Sequence, residues 1–412
     1  MSAPQTDPST DASPFGKRSP VLVALLLTVA AGVLIRCAPP DSGSAVAAPV
    51  LYVANAGAGT VTRLDAASGY PVGPSLMAGT APTQIVAGAD GNLLIAGATA
   101  GHGGSLTALT RQPGGWQARP VRLEPGAHRL LIAGDGGRHA VVAYHVSDAA
   151  SDEGESHCRL AVVDLATGRV EPARTVCAGR DSVVGLALDE GFTSHGAGDA
   201  GPGATAYLAI WRRPAAEDDC SRSSGSRILA TRIETGAVLA VAPIDGAPGS
   251  LALAPAPGTL GRRLYTAEAQ VEAGQALPDE CRYMSHDDHD AAAARWSVLG
   301  LNPTTLETES RWPVSQPWRS FAIAPDGDHA YALAGQGTVT HLDLLSGAAS
   351  QLIKLPKIAI SIAVTADRVY VPDAFGDGVW VVHRRNGRLR QTISTGHHPV
   401  AVTLGSSRLF SP

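Results

Sequence analysis

One pattern recurs along this chain, and it allows few folds. Residues 51–72 read LYVANAGAGTVTRLDAASGYPV, 329–355 read HAYALAGQGTVTHLDLLSGAASQLIKL, and 368–402 read RVYVPDAFGDGVWVVHRRNGRLRQTISTGHHPVAV. Each has an apolar run, a small-residue turn, a second apolar run, a turn at D-x-x-[ST]-G or its equivalent, and a third alternating run. Alternation of period two between Gly-rich turns means antiparallel strands. The late repeats are spaced about 41 residues apart, from Asn302 to Asp343 to Arg384. A period of that size with four strands per unit predicts an all-β fold, a β-propeller. The 46 Gly and 29 Pro suit a chain with that many turns.

The strands also fix the number of blades. Labelled A to D from the central channel outward, A strands are expected to begin near Thr83, His128, Ser182, Gly249, Trp318, Ala359 and Val400. The chain starts on a B strand, and the seventh A strand falls at its end. The C-terminal strand is therefore expected to join residues 50–78 and complete the first of seven blades. That closure removes the sheet edges a linear array would expose.

LYVANAGAGTVTRLDAASG resembles the YVTN-type β-propeller repeat, close to Y-V-x-N-x-x-x-[ND]-x-V-x-V-I-D-x-x-[ST]-G, and STGHHPVAV resembles the G-x-x-P segment that follows it. The match is good in the first and last repeats, fair in the sixth, and reduced in the middle to the strand pattern with an occasional DLATG or IETG. The resemblance implies a seven-bladed propeller over residues 49–412 and no particular activity.

The first 48 residues read differently. Residues 1–20 are polar and expected to be disordered, with Lys17 and Arg18 before an apolar segment at 21–36 and a short linker at 37–48. A charged region followed by an apolar run is an export signal. Cys37 resembles a lipidation site, although Arg36 stands where that motif has a small residue. The alternatives are an uncleaved membrane anchor and a plain secretory signal cleaved near SAVAA. All three place the propeller outside the cytoplasm, and the first two leave it tethered to the outer side of the cytoplasmic membrane.

Four further cysteines, Cys158, Cys177, Cys220 and Cys281, suit two disulfides in an exported domain. Cys158 and Cys177 are equidistant from the DLATG turn, which makes them opposed residues on neighbouring strands. Cys220 and Cys281 fall in the long B–C loops of adjacent blades and would tie those loops together.

Three consecutive blades carry the insertions, expected at 145–157, 212–226 and 271–295, all on the face shared by B–C and D–A connections. Loops on a rigid scaffold are where function concentrates. The last contains His286, Asp287, Asp288, His289 and Asp290, the most metal-like run in the chain, so a divalent metal ion is the one cofactor candidate. The first adds Asp148, Asp152, Glu153 and Glu155, making an acidic patch. The D–A connections bring His128, Arg129, Trp318, Arg319, His397 and His398 to the channel mouth, a candidate site for an anion or a metal.

Net charge is −5, which gives nucleic-acid binding no electrostatic support. No G-x-S-x-G elbow or P-loop occurs, and the Gly-rich run GAGDAGPG falls in an A–B loop of a β fold rather than between a strand and a helix, as a dinucleotide fingerprint requires. The expectation is a monomeric binding or scaffold module that presents its loop-rich face to a protein or small-molecule partner. The alternative is a hydrolase of lactonase type, or a metal-dependent enzyme, with its site at the channel mouth.

Overall fold

A computed structural model describes residues 49–405 apart from 80, 89, 99–102, 135–136, 148–155, 180, 190–202, 213–224, 259–260, 272–293, 317, 335–336 and 358. The described residues belong to one compact unit, Ala47–Pro412. Cys37, the expected signal segment, Cys220, Cys281 and the run His286–Asp290 lie outside the described residues. Among the described residues, no helix is long and apolar enough to cross a membrane.

The chain enters with β1 (Val50–Asn55), β2 (Thr60–Asp65) and β3 (Leu76–Met77), the outer strands of blade 1. Blade 2 is β4 (Pro82–Ala87), β5 (Leu93–Ala98), β6 (Gly104–Gln112) and β7 (Gly115–Pro120). Blade 3 is β8 (Ala127–Ala133), β9 (His139–Ser147), β10 (Ser156–Asp164) and β11 (Arg174–Gly179). Blade 4 is β12 (Asp181–Asp189), β13 (Thr205–Arg212), β14 (Arg227–Arg232) and β15 (Val238–Pro243). Blade 5 is β16 (Ala247–Pro255), β17 (Arg262–Val271), β18 (Ala294–Leu301) and β19 (Thr308–Val314). Blade 6 is β20 (Trp318–Ile323), β21 (His329–Ala334), β22 (Thr338–Asp343) and β23 (Ala349–Lys354). Blade 7 is β24 (Ala363–Val364), β25 (Arg368–Pro372), β26 (Gly378–His383) and β27 (Leu389–Ser394). The last described strand, β28 (Pro399–Gly405), pairs antiparallel with β1 and becomes the inner strand of blade 1. The protein is a seven-bladed β-propeller closed by its C-terminal strand.

Burial explains the residue usage of each strand. All six residues of β1 are buried, because second strands lie between neighbouring blades and are covered on both faces. Outer strands face water, and in β27 only Ile393 is buried. The closure has its own core. Leu51, Val53, Leu64 and Val402 of blade 1 pack with Tyr370, Val379, Val381 and Ile393 of blade 7. The buried Tyr370 hydroxyl donates to the Ala66 carbonyl at 2.5 Å, tying a second strand to the next blade's turn.

The D-x-x-[ST]-G motif is a hydrogen-bonded turn between third and fourth strands. Asp343 Oδ1 accepts the Leu345 and Ser346 amides at 3.0 and 2.8 Å, and the Gly347 amide donates to the Asp343 carbonyl at 2.8 Å. Gly347 has φ 76°, a left-handed backbone that explains the motif's glycine. The Ser346 amide in particular holds the Asp343 carboxyl below its ordinary value. In blade 7 this position is His383, whose Nδ1 accepts the Arg385 amide at 3.2 Å, while the Gly387 amide donates to the His383 carbonyl at 3.0 Å. The repeat phase therefore falls one residue before the expected Arg384.

Two other boundaries differ from expectation. Segment 145–157, read as loop, is partly strand, because His145 pairs with both His128 and Cys158 and extends β9 and β10. The inner strand of blade 7 forms its ladder at Ala363–Val364 rather than from Ala359. The segment before it is anchored instead to the blade's B–C loop, where Lys357 Nζ meets Asp373 Oδ2 at 3.3 Å.

Candidate functional site

Backbone hydrogen bonds gather three connections onto one face of blades 7 and 1. The Ala56 amide donates to the His398 carbonyl at 2.8 Å, and the Gly57 amide to the His397 carbonyl at 3.1 Å. From the other side, the His398 amide donates to the Gly376 carbonyl at 3.1 Å, and the Thr395 amide to the Asp377 carbonyl at 2.8 Å. The D–A connection 395–398 is thus clamped between two B–C loops, one from each blade. We call this side the upper face.

Asn55 is the keystone of the clamp. It is fully buried. Its Nδ2 donates to Thr62 Oγ1 at 2.9 Å and to Thr60 Oγ1 at 3.2 Å, and its Oδ1 accepts the Gly396 amide at 3.1 Å. The Asn of the Y-V-x-N pattern therefore satisfies buried polar groups and docks the G-x-x-P turn. Gly57 matters for space. A Cβ there would lie 2.8 Å from His397 Cδ2 and 3.0 Å from His398 Cδ2.

The clamp displays His397 and His398 with ring centroids 4.1 Å apart and planes nearly perpendicular. His397 Nδ1 lies 2.6 Å from Asp377 Oδ1, and His398 Nδ1 lies 3.1 Å from the Ala374 carbonyl. Both partners accept hydrogen bonds, so both imidazoles donate from Nδ1 and keep Nε2 as the nitrogen with a lone pair. The His397–Asp377 pair is wet, with side-chain exposures of 63% and 66%. The turn also exposes the Phe375 ring, and Lys357 Nζ reaches the Phe375 carbonyl at 3.4 Å. The arrangement offers two oriented imidazoles, a carboxylate, an ammonium and an aromatic ring on one accessible surface.

The other residues expected at the channel mouth do not join this group. Trp318 is buried and tilted against Phe321, ring centroids 6.0 Å apart, within the core of blades 5 and 6. Arg129 is exposed, with φ 50°, at a bulge in β8. His128 is half-buried and faces His145 in its own blade, ring centroids 5.8 Å apart. The side chain of Arg319 lies outside the described residues. The expected ring of histidines is thus two separate pairs. His128 belongs to blade 3, with blade 2 between it and the blade that carries His397 and His398.

Among the described residues, no group of three or more His, Cys, Asp or Glu side chains stands ready to hold a metal ion. Cys158 and Cys177 are opposed across β10 and β11 and form a disulfide, with Cα atoms 4.8 Å apart. All three long insertions join the second and third strands of their blades, between β9 and β10, β13 and β14, and β17 and β18.

Sequence reading missed Asp377, Asp373 and His145. The first two lie in the seventh blade's B–C turn, DAFGD. The Y-V-x-N register had already aligned Asp373 with Asn55, a signal that was available. His145 had none, since its pairing depends on where the second strand of blade 3 ends.

No protein-family model and no curated protein matches the sequence. Solved structures do. Hydrazine synthase of Kuenenia stuttgartiensis is 14% identical, covers 82% of this chain and 93% of its own, and has a TM-score of 0.55. A functionally unknown protein of Desulfotomaculum acetoxidans is 10% identical over 86% of this chain and 98% of its own, TM-score 0.54. A putative 6-phosphogluconolactonase of Bacteroides fragilis is 10% identical over 89% of this chain and 99% of its own, TM-score 0.52. Likeness at this identity establishes the propeller architecture and nothing of the activity.

Proposed function

We propose that this propeller is an exported, membrane-tethered binding module of YVTN type that recognises its partner through the upper face. The observation that carries the reading is topological. Three consecutive blades have lengthened second-to-third-strand connections, residues 148–155, 213–226 and 272–293, the connection type that in blades 7 and 1 clamps the upper face; blade 4 also has a long first-to-second-strand connection at 190–204. Blades 6 and 7 complete the same four-strand ladder with short second-to-third-strand connections, so the added length in blades 3 to 5 reflects use rather than packing. Export is supported by Lys17, Arg18 and the apolar segment that follows, and tethering by Cys37 or the segment itself. The partner is a protein or small molecule bearing groups complementary to acidic loops.

The test is affinity capture from the cell-envelope fraction with the full chain, beside a chain in which residues 213–224 and 272–293 are each replaced by a short Gly-Ser linker. A partner retained by the first and lost by the second supports the reading. Equal retention, or a protein found in the cytoplasm, overturns it.

A hydrolytic reading rests on the His397–Asp377 pair, a carboxylate-oriented imidazole at the channel end of a fold also used by a putative lactonase. The pair's exposure argues against it, because water weakens both the pair and its influence on a reacting group. Lactone and ester turnover abolished by His397→Ala would restore it.

A further inference from the structure

Blade 3 carries a row of four metal-binding side-chain types at one register position. His128 on β8 is directly opposed to His145 on β9, His145 to Cys158 on β10, and Cys158 to Cys177 on β11. Opposed residues of an antiparallel ladder share a face, so all four project from the same side of the blade. A bulge in β8 between His128 and Leu131 brings His128 onto that side.

Three of the four are close-set and dry, and His128 is half-buried. Cys158 is 0% exposed, His145 3% and Cys177 6%. His145 Nε2 lies 4.0 Å from Cys158 Sγ. Two ligands of one tetrahedral zinc ion, a thiolate sulfur and an imidazole nitrogen, stand roughly 3.5 Å apart. The existing separation is within about half an ångström of that. His128 Nδ1 lies 3.0 Å from the Gly126 carbonyl, which makes Nδ1 the donor and leaves Nε2 as the nitrogen able to take a metal, the backbone-carbonyl support common to metal-binding histidines. From blade 4, the Asp181 carbonyl lies 3.5 Å from Cys158 Sγ and lines the same space.

With the cysteines joined, their sulfurs have no ligand capacity as thiolates. We propose that this row is a two-state site. Oxidised, it is a disulfide staple. Opened by a dithiol reductant, it binds a borderline-soft divalent metal of the zinc class through Cys158, Cys177 and His145, with the fourth position toward His128. The balance is simple. The dithiol gives two electrons and two protons to the protein disulfide and becomes a disulfide itself. The metal ion then displaces both thiol protons as it binds. Thiolate and imidazole donors together select zinc-like ions over calcium or magnesium. The site therefore couples metal occupancy to redox state, since each closed form excludes the other.

The test uses the full chain carrying Cys37→Ser, Cys220→Ser and Cys281→Ser, so that one cysteine pair remains. Cobalt(II) is titrated into oxidised and reduced protein, with the sulfur-to-cobalt charge-transfer absorption and the far-ultraviolet circular dichroism read together and zinc added as competitor. The expected result is one equivalent of cobalt bound by the reduced protein, displaced by zinc, with no charge-transfer band in the oxidised protein. Cys177→Ser should abolish the two-thiolate band, and His145→Ala should weaken binding by about tenfold or more. A folded reduced protein without the band overturns the proposal, as does a band of equal affinity in His145→Ala. A reduced protein that has lost its sheet signal and binds no cobalt overturns it too, because the ligands are assembled only by the folded blade.

Discussion

Blades 1 and 7 and blades 3 to 5 share four-stranded sheets and use the upper face in opposite ways. In blades 7 and 1 the connections are short and stitched to each other, with Asn55 buried beneath them and His397, His398 and Asp377 displayed above. In blades 3 to 5 the strands are equally well paired, but the same connections are long insertions. The repeat motif survives where backbone must dock on backbone and fades where it need not. The mutually docked connections and the long ones thus occupy different sectors of one ring.

The largest effect should come from ending the chain after Gly396. That removes β28, exposes β1 as an unpaired edge and opens the core shared by blades 7 and 1. The expected cost exceeds about 5 kcal/mol, enough to abolish a cooperative urea transition. A truncated chain that still unfolds cooperatively would sever the link between the repeat motif and ring closure.

Next is the staple in blade 3. Cys158 and Cys177 are separated by 19 residues, and Cys177→Ser in the oxidised protein should lower stability by about 3 kcal/mol. Equilibrium unfolding under oxidising conditions measures it, and a loss near zero would mean that the blade needs no covalent help.

Asn55→Ala should cost about 2 kcal/mol, because it leaves the part-buried Gly396 amide without its acceptor and removes a fully buried donor to two threonine hydroxyls. Asp373→Ala, at the equivalent place in blade 7, removes a part-exposed ion pair with Lys357 and should cost about 1 kcal/mol or less. Equal losses would show that the clamp is shared evenly between the two blades.

The smallest effect is also the most selective. Glu268 of blade 5 is 1% exposed, with Arg311 at 2.8 Å. Burial raises its carboxyl pKa above the ordinary 4.5, and the attraction of Arg311 only partly offsets that. The folded state thus holds this proton more tightly than the unfolded one. Its contribution to stability is fully present below 4.5 and is lost as pH rises through the raised folded value. Glu268→Gln should remove that loss, so the variant's urea midpoint should gain on the wild type as pH rises above 4.5 through the raised folded value. Parallel midpoints would mean that Arg311 fully compensates the carboxylate.

Much of this molecule was legible as sequence, because alternation and turn chemistry are local. The Gly-rich turns marked β1 and β2, and the symmetric spacing of Cys158 and Cys177 about DLATG marked their opposition. The terminal position of HHPVAVTL announced the closing strand. The candidate site was less legible. His397 and His398 were visible as an exposed pair, but their partners Asp377 and Ala374 come from another blade. Trp318 read as a mouth residue and is core, because a D–A turn does not reveal which way its first strand residue points. Register across a long insertion is equally hidden. His145 joins Cys158 through pairing across the connection 148–155, and no local pattern encodes where that connection begins and ends. The sequence by itself determined the strands, their turns and the number of blades, since these depend on neighbours within a few residues. Only the tertiary structure decided which side chains meet, since ring closure and cross-strand register bring together residues that no spacing rule connects.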